Sequence, residues 1–295
     1  MSLPDGLISY GPSANCTLAL CPVEWSALEY RPSLAASGAF IGLFAVAMVV
    51  HIIEGWHWRD WGFMSLMAAG CIDEIIGYGG RIILYNNPFS FSGFLMQIIC
   101  ITTAPLFFCA SIYVTLSRTI YYLDPKVSYF SPKLLYWVFI PCDIFSLVLQ
   151  AAGGGLSSVS SGSSKTGNDI SLAGLSFQVF TLIVFIVLAA DYFRRFLRSG
   201  GKFPGGRFRV YFIFLSLAIL LILVRCVYRI DELSDGYFGP LFHNEEVFYG
   251  LESVMVTVAT FSLALGHPGL GLVRQPNERS IDSSALETGA ESGEK

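Results

Sequence analysis

Seven times along the chain an apolar run reaches the length a helix needs to cross a bilayer, about 20 residues for a hydrocarbon core of roughly 30 Å. The runs are Ser33–Ile53, Trp61–Gly80, Gly93–Ser117, Leu134–Ala152, Ile170–Ala190, Phe208–Ile230 and Val247–Gly266. Inside hydrocarbon the backbone finds no water, so each run must satisfy its own N–H and C=O groups as a helix. The third and fifth runs carry no charged side chain, which sets them apart from buried helices of a water-soluble domain. Composition agrees: 14% of the residues are charged, where soluble domains carry roughly 25%. The expected fold is all-α and polytopic, with an N-terminal segment 1–32, a seven-helix membrane domain 33–269 and a disordered tail 270–295.

Seven spans place the two termini on opposite sides, and the Lys/Arg distribution decides which side is cytoplasmic. Arg59, Arg118, Lys126, Lys133, the segment Arg194–Arg209 and the tail fall on one side, and only Arg31 and Lys165 on the other. This bias puts the N-terminus outside and the C-terminus in the cytoplasm. Asn15-Cys16-Thr17, the chain's only N-x-[ST] sequon, then lies on the side where glycosylation occurs. Cys16 and Cys21 share that oxidising compartment, where they either close a small disulfide loop or stay unpaired. The five other cysteines lie in the runs and read as small packing residues. Gly153–Gly167, rich in Gly and Ser, reads as a flexible outer loop. The basic Arg194–Arg209 segment faces the anionic inner leaflet. A net charge of −4 gives no sign of a nucleic-acid partner.

Several chemistries are excluded by residues that are missing. Gly162-Ser-Ser-Lys165-Thr166 lacks the glycine before lysine that a phosphate-binding loop requires, so ATP hydrolysis is not expected. All five lysines fall outside the spans, which removes a retinal Schiff base. His51, His57 and His267 are on the inner side and His243 on the outer, so no zinc site converges. An acidic-Arg pair at the end of the third span and an Asn-Pro turn in the seventh, marks of a G-protein-coupled receptor, are absent. No metal and no cofactor is expected.

An ionisable group in a span costs several kcal/mol unless paired or hydrated, so such groups mark candidate sites. Glu74, Tyr78 and Arg81 are spaced i, i+4, i+7 and share a helix face, as do Arg225, Arg229 and Glu232. Asp143, Ser146 and Gln150 form a stripe on the fourth span, and Glu252 lies in the seventh. With this orientation Arg81, Gln150, Arg225, Arg229, Glu232 and Glu252 fall in the outer half of the bilayer, and Asp143 lies roughly 15 Å from the inner end of its helix. The expectation is a hydrated recess reachable from the outer leaflet. The competing reading is that Glu74, Asp143 or Glu252 neutralises Arg81, Arg225 or Arg229 and locks the bundle. Pro105 and Pro141 each remove a helix hydrogen bond, freeing the carbonyls of Ile101 and Trp137 for a kink or a polar cavity.

Particular motifs resemble one family. They are Glu74-Ile-Ile-Gly-Tyr-Gly-Gly-Arg81, Ala110-Ser-Ile-Tyr-Val-Thr-Leu-Ser-Arg118, Ser131-Pro132 and Asp143-Ile-Phe-Ser-Leu-Val-Leu-Gln150-Ala-Ala-Gly-Gly-Gly155. Ala173-Gly-Leu-Ser-Phe-Gln178, Arg225-Cys-Val-Tyr-Arg229-Ile-Asp-Glu232, Glu246-Val-Phe-Tyr249 and His267-Pro-Gly269 complete the set. From Tyr30 to about Gly269 the chain resembles the fungal RTA-like lipid-translocating exporters, named for aminocholesterol resistance, which include the sphingoid long-chain-base exporter. One departure is Glu252, where such proteins usually carry Asp. The resemblance implies a plasma-membrane protein that moves amphipathic lipids toward the outer leaflet or confers resistance to them, with helices 1–3 and 5–7 as parallel repeats. Its candidate lipid-binding residues are Glu74, Tyr78, Arg81, Asp143, Gln150, Arg225, Arg229, Glu232 and Glu252. The alternative is a seven-helix lipid sensor whose output partner meets the 194–209 segment and the tail.

Overall fold

A computed structural model of the chain describes residues 7–9, 11–129, 131–159, 165–234 and 243–272. The long helices are α1 (Leu34–Trp58), α2 (Trp61–Asn86), α3 (Phe91–Leu123), α4 (Pro132–Val159), α5 (Lys165–Arg198) and α6 (Gly205–Ser234). A further helix, α7, starts as Glu245–Phe248, passes through a π-helical segment Tyr249–Val254 and continues as Met255–Leu265. The short α8 (Pro268–Gly271) follows. Six of these stretches are long and apolar enough to cross a membrane: α1, α3, α4, α5, α6 and the α7–α8 stretch Glu245–Gly271. The 26 residues of α2 are long enough, but this helix, which carries Asp73, Glu74 and Arg81, is not among the six. The protein is an all-helical, multi-pass membrane protein.

Side-chain caps mark where several helices begin. Ser33, Asp60, Ser90 and Asn244 each accept a hydrogen bond from the backbone N–H three residues on, satisfying a donor that the helix itself cannot. The end of α1 is unusual: Arg59 takes the left-handed conformation (φ 55°) that glycine normally supplies at a helix C-terminus.

Consecutive helices pack side by side, and α7 returns to α1 and α6, closing a ring in which α3 also reaches α6. The outer surface is apolar, with Val46, Ile53, Trp137, Phe180, Val187 and Ile213 exposed, as expected where lipid is the solvent. Close approach within the ring rests on small residues. A Cβ on Gly80 would lie 2.8 Å from both Gln97 N and Gly93 O of α3.

The interface of α4 with α5 corrects the reading of Gly153–Gly167 as a flexible loop. Gly153 and Gly167 belong to α4 and α5, and a Cβ on Gly153 would lie 2.5 Å from the Gly167 carbonyl oxygen. These glycines are packing residues, and the connection shortens to 160–164, which lies outside the described residues. The basic Arg194–Arg209 segment also shrinks: Arg194, Arg195 and Arg198 continue α5, while Arg207 and Arg209 begin α6. Most helices outrun their apolar runs because polar residues continue them beyond hydrocarbon depth. Most of the expected tail, 273–295, lies outside the described residues, and Leu270 and Gly271 belong to α8.

The segment before α1 is fastened to one end of the ring. Cys16 and Cys21 form a disulfide that packs on Phe89 of the α2–α3 connection. Ala27 and Leu28 bury against Leu84 and Phe94. Arg31 donates to the Tyr85 carbonyl (2.7 Å) and stacks over that ring at 3.8 Å. Ser33 N donates to Glu245 Oε1 at the start of α7 (2.7 Å). Asn15 is exposed, and its Oδ1 accepts from Ile8 N at 2.7 Å.

Candidate functional site

Three arginines of the ring interior are each matched by a glutamate. Arg81, fully buried on α2, donates to Glu245 Oε1 (3.0 Å) and to the hydroxyls of Tyr30 and Tyr249 (both 3.3 Å). Its guanidinium carbon sits 4.4 Å from the Phe248 ring centroid and 4.9 Å from that of Tyr249, so an aromatic box and one carboxylate hold the charge together. Burial pushes the Tyr30 hydroxyl above its ordinary range, and the Arg81 charge pulls it back in part. The hydroxyl therefore serves Arg81 as a neutral acceptor.

Arg225 on α6 is the second. Its Nε donates to Glu252 Oε1 at 2.8 Å, its Nη2 bonds the same oxygen, and Nη2 also donates to the Ile101 carbonyl at 3.0 Å. Pro105 prepares that last contact: with no N–H at residue 105, the Ile101 carbonyl has no helix partner. The proline signal thus points to an acceptor for a buried cation. Glu252 occupies the π segment of α7, a local widening that occurs often at functional positions.

The third arginine, Arg229, pairs with Glu232 one turn later and donates to Thr102 Oγ1 at 3.1 Å. Tyr228 donates to the other oxygen of Glu232 at 3.3 Å. A cavity of about 10 Å³ lies here, lined by Tyr30, Gln97, Arg229, Glu232 and Phe248 among others. That volume suits one water molecule. The hydrated recess expected around these residues is, in this cavity, no wider than one water. The side chains have turned inward to satisfy one another, as uncompensated charge in a low-dielectric interior requires.

Asp143 and Glu74 form no ion pair with the arginines. Asp143 on α4 accepts from Tyr113 Oη on α3 (2.8 Å) and Thr181 Oγ1 on α5 (3.3 Å), so neutral hydroxyls hold it. Farther along that stripe Ser146 Oγ donates to the Gly174 carbonyl (2.6 Å), while Gln150 Nε2 donates to Ser146 Oγ and Gln178 Oε1 (both 3.0 Å). The stripe faces α5 and does not join the arginine clusters. Glu74 lies near Glu252 and Arg225, yet its Oε1 has no hydrogen-bond partner, and the buried Tyr78 hydroxyl beside it has only Ser253 Oγ.

Of the three carboxylates weighed from sequence as partners of Arg81, Arg225 or Arg229, Glu252 alone pairs with one, Arg225, among the described residues. Arg81 and Arg229 take Glu245 and Glu232 instead, and neither Glu74 nor Asp143 pairs with an arginine. Glu245 was not legible because it precedes the seventh apolar run. Tyr30 lies in the N-terminal segment, and Thr102, Tyr113 and Thr181 are common residues whose facing partners no spacing reveals. At the opposite end of the ring, His51 and His267 flank the Phe63 ring edge-on at 5.8 and 4.9 Å. No group of three His, Cys, Asp or Glu side chains converges as a metal site among the described residues.

A family model described as RTA1 like protein matches residues 67–275. The chain belongs to the RTA1-like family. The RTA1-like relatives include the sphingoid long-chain base transporter RSB1 of Saccharomyces cerevisiae, 30% identical over 278 residues, covering 81% of this chain and 72% of the relative. Protoporphyrin uptake protein 1 of the same yeast is 30% identical over 200 residues, covering 67% of this chain and 66% of that protein. Protein RTM1, also from Saccharomyces cerevisiae, is 28% identical over 284 residues, covering 82% and 92%. No solved structure matches the chain. The RTA1 match spans Glu74, Asp143, Arg225 and Glu252, so the buried polar residues fall within the family region.

Proposed function

We propose that this chain exports an amphipathic lipid with a cationic headgroup, of the sphingoid-base class, from the cytoplasmic to the outer leaflet of the plasma membrane. One observation carries this reading: buried carboxyls outnumber the arginines that pair with them, leaving Asp143 and Glu74 without a cationic partner. A lipid ammonium supplies the missing charge while its tail stays in hydrocarbon. The name of the sphingoid long-chain base transporter RSB1 supports that substrate class. We read α2 as a seventh span, with N-terminus outside and C-terminus in the cytoplasm, on the Lys/Arg bias and on the sequon lying with the Cys16–Cys21 loop. The chain acts as a carrier and not as an enzyme. Arg81, Arg225, Arg229, Glu232, Glu252 and Tyr78 form the polar lining that opens when the ion pairs exchange partners, and Gln150 extends the separate Asp143 stripe.

A second reading is favoured by the size of the cavity among the ion pairs, about 10 Å³. A closed ring of this kind suits a lipid sensor, which passes a small rearrangement to a cytoplasmic partner through the 194–209 segment and the tail. Purified protein in liposomes with a fluorescent sphingoid base separates the two. Leaflet transfer above protein-free vesicles supports export, and binding without transfer overturns it in favour of sensing.

A further inference from the structure

Charge pairing in the ring leaves one place unexplained. Arg81, Arg225 and Arg229 have Glu245, Glu252 and Glu232, and Asp143 has two hydroxyl donors. Glu74 has neither kind of partner, though only 1% of it is exposed.

Other buried oxygens face it. Glu252 Oε2 has no hydrogen-bond partner, and Tyr78 Oη and Ser253 Oγ have only each other. Tyr78 is fully buried, and its hydroxyl turns toward Ser253 and Glu74. Ser253 is 1% exposed and sits beside Glu252 in the π segment. Four oxygen-bearing side chains from α2 and α7 are thus brought together, two of them carboxylates with an unpartnered oxygen. Each such buried oxygen costs about 1–3 kcal/mol if nothing meets it, and native proteins rarely leave such groups without an ion or a water.

The charges facing this point are Glu74 and Asp73 from α2, Glu252 from α7 and Arg225 from α6, with Arg81, already paired to Glu245, on the far side of Tyr78. Asp73 is only half buried and meets the Cys100 thiol of α3. Glu74, Glu252 and Arg225 alone leave one negative charge in excess. An all-oxygen donor set with that excess suits a hard cation of single charge.

We propose that Glu74, Tyr78, Ser253 and the second oxygen of Glu252 bind one monovalent cation, Na+ or a proton, next to the Arg225–Glu252 pair. Arg225 Nη1 is a buried donor without a partner. When the cation leaves, Glu74 is the carboxylate that takes this donor, and Arg225 becomes shared between α2 and α7. Cation occupancy thereby sets how α2 and α7 are held together. The site stands on packing and charge alone, and its use as the coupling ion of export rests on the transporter reading above.

The test uses the purified full chain in detergent micelles. Either saturable 22Na+ binding near one ion per chain, or a one-proton step in a pH titration of tyrosine fluorescence, is expected. Glu74→Gln is expected to abolish the signal, and Tyr78→Phe and Ser253→Ala to weaken cation affinity about tenfold. Should Glu74→Gln fail to fold, the two milder variants decide the matter. Absence of both signals in the wild type, or a signal unchanged in all the variants that fold, overturns the site. A chain that binds the cation but transfers no lipid in liposomes overturns the export reading and leaves the site standing.

Discussion

Replacing Glu252 by Leu removes one half of an ion pair whose members are 0% and 1% exposed, and strands the Arg225 guanidinium in the ring interior. Breaking such a pair typically costs 3–5 kcal/mol. Arg225 keeps its bond to the Ile101 carbonyl, which places the expected loss near the lower end, about 3 kcal/mol. At 1.4 kcal/mol per factor of ten this is roughly a hundredfold in the folding equilibrium. The double variant Arg225→Met/Glu252→Leu fills the same space with apolar atoms and should return to within about 1 kcal/mol of wild type, because a buried pair rarely outperforms well-packed hydrophobic residues. Glu252→Gln keeps an acceptor for Arg225 and should fall between the two. Unfolding by SDS in mixed micelles, followed by circular dichroism, gives the stabilities, and the liposome assay gives transfer. A stable double variant that no longer moves lipid assigns the pair to function as well as to folding. A Glu252→Leu protein within 1 kcal/mol of wild type would refute the premise that the pair is sealed from water.

Asp143→Asn retains an acceptor for Tyr113, and its amide nitrogen can donate to Thr181 Oγ1, which itself donates to the Gln178 carbonyl, so folding should survive while transfer of the sphingoid base is lost; unchanged transfer would remove Asp143 from the route. Gly80→Ala places a methyl group 2.8 Å from two backbone atoms of α3 and should destabilise the fold by about 1–3 kcal/mol, measured by the same SDS titration. Arg59→Gly relieves the left-handed cap of α1 and should raise stability by about 1 kcal/mol. Asn15→Gln should abolish a glycosidase-sensitive shift on gels; a shift that persists would contradict glycosylation at that sequon.

The helices were the most legible part of the chain, because an apolar run matched to bilayer thickness has few alternatives. Their ends were less so: nothing in hydropathy separates a loop from a helix that continues into the headgroup region, as α5 does to Arg198. Gly153 and Gly167 were misread because flexibility and close packing ask for the same residue. In the site, helical spacing correctly placed Glu74, Tyr78 and Arg81 on one buried face. Spacing could not pair them, since pairing depends on rotations between helices, and Arg81 meets Glu245 across 164 residues of sequence. The Pro105 signal did carry through, from a missing N–H to the Ile101 carbonyl that receives Arg225.

The π segment Tyr249–Val254 holds one residue more than a regular helical turn would need. A codon lost there, for instance that of Gly250, whose side-chain position is open space, would let the turn tighten without moving the flanking faces. Phe248 and Val256 would keep their places in the core while the carboxylate between them lost its bearing on Arg225. The gene therefore contains a spot where a three-base deletion should preserve the helix faces, carry the cost of a broken Arg225–Glu252 pair and cut the link between α6 and α7.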